Sequence, residues 1–205
     1  MGNHSVEDQT MDEAALWRFF QSLDRAAFMD PSTRAFASID AAFPIGFGQT
    51  ISQPSLVFEM TRLLNPAPES RVLEIGTGTG YQTALLARFS ASVHTVERIP
   101  GLAESARARL ERMGYANIEY RIGDGSDGWP EAAPFDRIMV TAAAARFPDD
   151  LAAQLAPLGR MIVPVGAPGM QRLLRVECEA DGKLSVQALE AVAFVELVGR
   201  YGWHA

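Results

Sequence analysis

The chain has 205 residues and a formal charge of −7, from 18 Lys and Arg against 25 Asp and Glu. Hydrophobic residues make up 48% and charged residues 21%, the balance of one globular domain with its own core rather than of a disordered chain or a coiled coil. An acidic chain without a basic run disfavours nucleic acid and anionic membranes as partners and tolerates a cationic ligand.

The N-terminus, Met1–Asp8, lacks the basic and apolar regions of a signal peptide, and Val6 stands where myristoylation wants Ser or Thr. Residues 1–12 are polar and expected to be mobile. From Glu13 to Leu23 the apolar residues Leu16, Phe19, Phe20 and Leu23 recur at helical spacing, predicting an amphipathic helix. Residues 30–53 carry Pro31, Pro44, Gly46 and Gly48 and read as an ordered irregular segment, of the kind that usually serves a site. Pro54 opens a predicted helix with Leu56, Val57, Met60, Leu63 and Leu64 on its stripe.

From Arg71 strands alternate with helices. Strands are predicted at Arg71–Ile75, Ser92–Val96, Ile118–Ile122, Phe135–Val140 and Arg160–Val165, with helices at Tyr81–Phe89, Pro100–Met113 and Pro148–Leu155. This alternation implies an α/β fold: a Rossmann-like, doubly wound, mostly parallel sheet with helices on both faces. Arg172–Glu177, Lys183–Leu189 and Val192–Leu197 then read as strands of an antiparallel C-terminal edge, with a turn at Ala180-Asp181-Gly182. Residues 1–53 form an N-terminal helix and site segment, and residues 54–205 the main domain, in one compact unit. No apolar run approaches the roughly 18 residues of a membrane span. The single cysteine, Cys178, can form no internal disulfide and points to a reducing, cytoplasmic compartment. His4, His94, His204 and Cys178 are too dispersed for a zinc pattern, so no metal is expected, and His94 reads as structural.

The stretch Val72-Leu73-Glu74-Ile75-Gly76-Thr77-Gly78-Thr79-Gly80-Tyr81 ends a buried strand in a glycine turn and starts a helix. Glycines there let the backbone turn sharply and approach a ligand. The dinucleotide fingerprint needs a third glycine where Tyr81 stands, so a dehydrogenase is the weakest reading and a nucleoside without a pyrophosphate fits better. Glu97, ending the second strand, is placed to accept from ribose hydroxyls; the alternative is a solvated acid beside Arg98. Gly123-Asp124-Gly125-Ser126-Asp127-Gly128 matches the dinucleotide spacing literally, but Trp129-Pro130 follow and no helix opens. Asp124 could accept from an adenine amine at a strand end, or bond its own backbone in an Asx turn. Glu74 could meet amides of the glycine turn or the amino group of a ligand. Thr141 is either a cleft residue or a satisfied strand-end hydroxyl. Tyr81, Phe47 and Trp129 read as packing residues.

Together these residues resemble a class I S-adenosylmethionine-dependent methyltransferase, and Pro44-Ile45-Gly46-Phe47-Gly48-Gln49-Thr50-Ile51-Ser52-Gln53-Pro54 resembles the hallmark of the protein-L-isoaspartate O-methyltransferases. Val96-Glu97-Arg98-Ile99, Gly123-Asp124-Gly125, Phe135–Ile138, Val140–Ala143 and Val163–Gly166 extend the resemblance, which runs from about Ala41 to Val198. It implies S-adenosyl-L-methionine as cofactor and the α-carboxylate of isoaspartyl residues in damaged proteins and peptides as acceptor. It places Gly76, Gly78, Glu97, Asp124 and Gly125 at the cofactor and Ser52 as the catalytic residue; Glu74 and Gly80, from the reading of the glycine turn, join the expected cofactor set. Ile45, Gln49, Thr50, Thr141 and Ala142 fall at the acceptor. It also implies rearranged last strands over Leu173–Leu197. Ala144-Ala145 stand where proline is often found, in a stretch expected near the acceptor.

Such chemistry suits the residues. A carboxylate acceptor is already ionised at neutral pH, so no general base is required and alignment carries the catalysis. Ser52 could hold the acceptor carboxylate, or cap the helix that Pro54 opens. A methyltransferase for another peptide or small-molecule carboxylate is the alternative, and a non-catalytic binding module would not need Ser52. A monomer is expected.

Overall fold

The structure, a computed structural model, describes residues 11–203. The expectation of a mobile N-terminus, and His4 and His204, lie outside the described residues, except for Met11 and Asp12, which are fixed. Met11 is buried and its N–H donates to Asn65 Oδ1 at 2.8 Å. Asp12 caps helix α1 (Glu13–Ser22) by accepting from the N–H groups of Ala14 and Ala15.

The segment 30–53 is less irregular than expected. After two short 3₁₀ turns it forms a hairpin, β1 (Phe43–Gly46) and β2 (Gln49–Ile51). Gly46, Phe47 and Gly48 all have positive φ, the backbone sign that two-residue hairpins require. Helix α2 (Pro54–Leu64) starts with proline at its first turn and ends on left-handed Asn65.

The main sheet follows: β3 (Arg71–Ile75), α3 (Tyr81–Arg88), β4 (Ser92–Glu97), α4 (Pro100–Arg112), β5 (Ile118–Ile122), β6 (Phe135–Val140), α5 (Asp149–Ala152), β7 (Leu155–Val165), β8 (Gln171–Cys178) and β9 (Leu184–Val192). The strand order is β5-β4-β3-β6-β7-β8-β9; β3 to β7 are parallel, and β8 and β9 antiparallel. β3 is covered on both faces, as a parallel strand must be. Val72 packs with Met60, Leu64 and Leu86 from α2 and α3, while Leu73 and Ile75 pack with Leu151 of α5 and with Leu197 and Tyr201. All three β3 residues are at most 1% exposed, and burial of each contributes about 1.5–3 kcal/mol. The winding reverses between β3 and β6, which opens a crevice beyond their C-terminal ends.

Two boundaries differ from expectation. α5 is four residues long because the chain is already extended at Leu155, which pairs with Phe135, and Phe135 N–H donates to Gln154 O. Val192–Leu197 is not a third edge strand. β9 ends at Val192, and the chain then leaves the sheet edge toward the end of β6. There Gln171 brackets Phe194 with two side-chain bonds, and the Ala143 backbone bonds Val195 and Leu197.

Candidate active site

A cleft opens at the reversal point. Its floor is the glycine turn after β3, its far wall Val96, Glu97 and Leu102, and its roof the β1–β2 hairpin. The hairpin crosses the cleft and rests the Phe47 ring against Gly101 at the start of α4, where an added Cβ would lie 3.3 Å from Phe47 Cζ. Val195, Leu197 and Val198 close the remaining side.

The turn is held by its own amides. Gly76 N–H donates to Val96 O at 2.8 Å, Gly80 N–H to Thr77 O at 2.8 Å, and Gly78 N–H to Glu97 Oε2 at 2.9 Å. Glu97 Oε1 accepts from Ile99 N–H at 3.0 Å. Each carboxylate oxygen keeps a further lone pair, so Glu97, 6% exposed and on the cleft wall, can still accept from a ligand diol. Gly76 has φ +96, and a Cβ there would collide with Thr141 Oγ1. The Thr141 hydroxyl shares its proton between Ile75 O at 2.9 Å and Gly76 O at 2.7 Å. It is therefore a satisfied strand-end group that buttresses the turn, with its side chain at the cleft wall.

Beneath the turn lies a buried polar chain. Thr83 and Thr95 donate to Glu74 Oε2 at 2.6 and 2.7 Å, and Thr77 lies 2.6 Å from Thr95. Since the Thr95 proton goes to Glu74, Thr77 is the donor in that pair. Glu74 is wholly buried, and desolvation pushes its pKa up to about 8 despite the two hydroxyls; the nearby Glu97 charge adds to the rise. Glu74 thus meets neither the amides of the turn nor the cleft, contrary to expectation. It anchors the turn from below through Thr95 and Thr77.

The residues expected at an acceptor come from farther apart in the chain. Ile45, Gln49, Thr50, Ser52, Thr141 and Ala142 all face the cleft. Ser52 does not cap α2. The cap position is Gln53, whose side chain makes no cap bond, and the Ser55 N–H is taken by Asp40 Oδ1 at 2.9 Å. What fixes Ser52 is Arg25, a buried residue the sequence did not single out. Its guanidinium donates to the carbonyls of Ile39 at 2.9 Å, Ala41 at 2.7 Å and Ser52 at 3.1 Å, and to Ala37 at 3.3 Å. Burying that charge costs less when so many acceptors surround it, and the segment gains a fixed path.

Comparison with known proteins bears on what this cleft serves. The family model of protein-L-isoaspartate(D-aspartate) O-methyltransferase (PCMT) matches residues 4–202. The chain belongs to this family. The protein-L-isoaspartate O-methyltransferase of Anaeromyxobacter dehalogenans (strain 2CP-C) is 51% identical over 199 residues, 96% of this chain and 93% of the relative. Protein-L-isoaspartate O-methyltransferase 1 of Anaeromyxobacter sp. (strain Fw109-5) is 52% identical, covering 98% and 95%. A Plasmodium falciparum structure assigned to the same activity, in complex with S-adenosyl-L-homocysteine, shares the fold at TM-score 0.78 and 24% identity, covering 92% of each chain. A second solved protein-L-isoaspartate O-methyltransferase gives TM-score 0.78 at 27% identity, covering 93% of this chain and 67% of its own.

In this member of the family the cleft gathers Gly76, Gly78, Glu97 and Gly125 from the expected cofactor set. Gly80 stands outside. It turns the chain into α3 with φ +88 and packs on α4, where a Cβ would lie 2.8 Å from Leu110 Cδ1. Asp124 also stands outside the cleft wall. Its Oδ1 accepts from Ser126 N–H at 2.8 Å in the Asx-turn manner, and left-handed Gly199 passes so close that a Cβ there would collide with the carboxylate. Ala144 is in the core with its N–H on Pro164 O, and Ala145 bonds Tyr201 O, so neither forms the acceptor floor. Tyr81 faces the cleft but packs on Phe28, ring centroids 5.4 Å apart. His94 lies buried edge-on to Trp129 and Phe135. Arg25 and the Val195–Val198 wall carried no sequence signal: the first looks like any arginine, and the second like another edge strand.

Proposed function

We propose that this chain transfers a methyl group from S-adenosyl-L-methionine to the α-carboxylate of L-isoaspartyl residues in damaged proteins and peptides, as its family does. The observation that carries the reading is one continuous cleft lined both by the glycine turn with Glu97 and by Ser52, with Thr141 bonded to the turn between β3 and β6. The donor's residues fit a nucleoside. Glu97 would hold the ribose hydroxyls, Val96 and Leu102 would supply apolar walls for a base, and Gly76 and Gly78 would leave room for close approach. The related Plasmodium fold that holds S-adenosyl-L-homocysteine agrees with this assignment. When bound, the cofactor supplies a methyl group on a sulfonium, whose leaving group is a neutral thioether.

The residues on the acceptor side then orient and do not activate. A carboxylate with pKa near 4 is anionic at neutral pH, and among the described residues no His, Cys or Lys lines the cleft. Ser52 Oγ donates to the acceptor carboxylate and sets its angle, and the Arg25 staple keeps Ser52 in register. Discrimination against ordinary aspartate is geometric, since the two carboxylates have similar pKa and differ in their distance from the peptide backbone. A misplacement of about 1 Å costs on the order of 100-fold. Gly125, at the strand end, lines the nucleoside end of the cleft in this reading, whereas Asp124 serves the turn outside it. We read the chain as a cytoplasmic monomer: the lone, buried Cys178 suits a reducing compartment, and the net charge of −7 disfavours nucleic acid and anionic membranes as partners. Among the described residues no helix is long and apolar enough to cross a membrane.

Methyl incorporation into matched isoaspartyl and aspartyl peptides tests the reading. The isoaspartyl peptide should react at least about 100-fold faster. Equal rates, or no reaction with cofactor binding intact, would overturn it in favour of another carboxylate acceptor.

A further inference from the structure

Beside the cleft runs a wider groove that shares Thr50, Ser52, Thr141 and Val195 with it. The methyl-accepting end and the groove are therefore one continuous surface. Its floor is aromatic. Trp17 and Phe20 of α1 meet Phe58 of α2, with Trp17 and Phe58 T-shaped at 5.1 Å, Phe20 at 5.3 Å from Phe58, and Trp17 stacked on Phe20 at 5.8 Å. Trp17 is 46% exposed, unusual for so large a ring, and lines the groove.

The rim is acidic. Asp40, Glu59 and Glu190 line the groove, and no Lys or Arg does. Glu59 is neutralised by Arg62, which it binds through both oxygens at 2.6 and 2.8 Å. Asp40 accepts from Gln53 and from Ser55 N–H, neutral donors that hold its charge in place. Glu190 is exposed on β9. Arg172, on the neighbouring strand, turns its guanidinium to the Leu189 carbonyl and forms no ion pair with Glu190 among the described residues. Asp40 also feels the charge of the buried Arg25, which leaves Glu190 as the rim carboxylate with no ion pair among the described residues, beside the aromatic floor.

We propose that this groove binds the residues flanking the isoaspartyl group and selects a lysine or arginine there. The proposal rests on the isoaspartyl reading of the adjoining cleft. A lysine or arginine satisfies both features at once. Its aliphatic stem lies on apolar surface while its charged head stays in water, and a cation is attracted both to the face of a tryptophan and to a carboxylate. An acidic flank would meet Glu190 and Asp40 with like charge, and a purely apolar one would use the floor alone. Each contribution at an exposed site is modest, so together they should favour lysine over glutamate by roughly three- to tenfold in kcat/KM.

The test is a set of isoaspartyl peptides of one parent sequence carrying lysine, norleucine or glutamate at each flanking position, with an aspartyl control. Rates in the order lysine, norleucine, glutamate at one flank, with a spread that narrows in high salt, are the expected result. Glu190→Gln, an exposed change that leaves the core untouched, should bring the lysine to norleucine ratio toward one. Trp17→Ala should lower both lysine and norleucine rates toward that of glutamate. Equal rates for all three at every flank, with isoaspartyl still preferred over aspartyl, would overturn the groove assignment alone. A lysine preference that survives Glu190→Gln and ignores salt would overturn its electrostatic basis. Absence of methylation across the set with cofactor bound would overturn the isoaspartyl reading and this inference with it.

Discussion

The cofactor side of the cleft is a local object, whereas the acceptor side is assembled from distant stretches. On the cofactor side five consecutive residues, Gly76 to Gly80, make a turn whose amides bond their neighbours and Glu97, and a buried acid anchors it from below. On the acceptor side Ser52, Thr141 and Val195 meet from a hairpin, a strand end and a C-terminal crossing. Each is held by bonds to other parts of the chain, by Arg25, Gly76 O and Ala143. The difference separates two ways to damage the enzyme. Changes in the local turn should abolish cofactor binding, and changes on the assembled side should spare it.

The largest effect should come from Gly76→Ala. The substitution forces an alanine to φ +96 and drives its Cβ into Thr141 Oγ1, so both the turn and its buttress must move. A loss on the order of 100-fold or more in kcat/KM, with cofactor affinity falling in step, is expected from combined rate and calorimetric measurements. Retained affinity would show that the turn is not the cofactor's floor.

Ser52→Ala should act on the other side alone. Removing a hydrogen bond to a charged acceptor should lower kcat by roughly 10–100-fold while cofactor affinity stays within about twofold. Thermal stability should shift by less than about 0.5 kcal/mol, because Ser52 caps no helix. A stability loss with activity intact would return Ser52 to a structural role.

The anchor beneath the turn is tested through stability, with no change expected in rate. Glu74 has its pKa raised to about 8 against an ordinary value of 4.5, so between those values the folded chain holds a proton that the unfolded chain has released. Its contribution to stability is fully present below about 4.5 and falls as pH rises through about 8, at most about 1.4 kcal/mol per pH unit. Unfolding followed from pH 5 to 8 should show this decline in the parent protein, and Glu74→Gln, which keeps an acceptor for Thr83 and Thr95, should flatten it. Identical slopes would mean the carboxyl is ionised throughout.

These two sides also mark what a reader of the chain alone could know. The strands from Arg71 to Val140 fall where apolar runs and glycines put them, because a buried parallel strand must be apolar on both faces and a sharp turn must have glycine. Gly76, Gly78 and Glu97 were legible for the same reason: their partners lie within one β-α-β unit. Gly80 was misassigned because packing on Leu110 and contact with a ligand ask for the same missing side chain. Asp124 was placed by its strand end, but its local bond to Ser126 N–H and the passage of Gly199 decide where its carboxylate goes.

Local chemistry was therefore determined by the sequence itself: the winding of the sheet, the glycine turn, the acid after β4, and the motif from Pro44 to Pro54. The tertiary structure alone decided that Arg25 staples that motif, that residues Ala193–Val198 cross over to wall the cleft instead of extending the sheet, and that Trp17 opens onto the groove beside Ser52. Periodicity and turn signals report the bonds a segment makes with itself. The direction of a buried guanidinium, or the course of a chain leaving a sheet edge, is set by partners far away in sequence, and no local pattern encodes them.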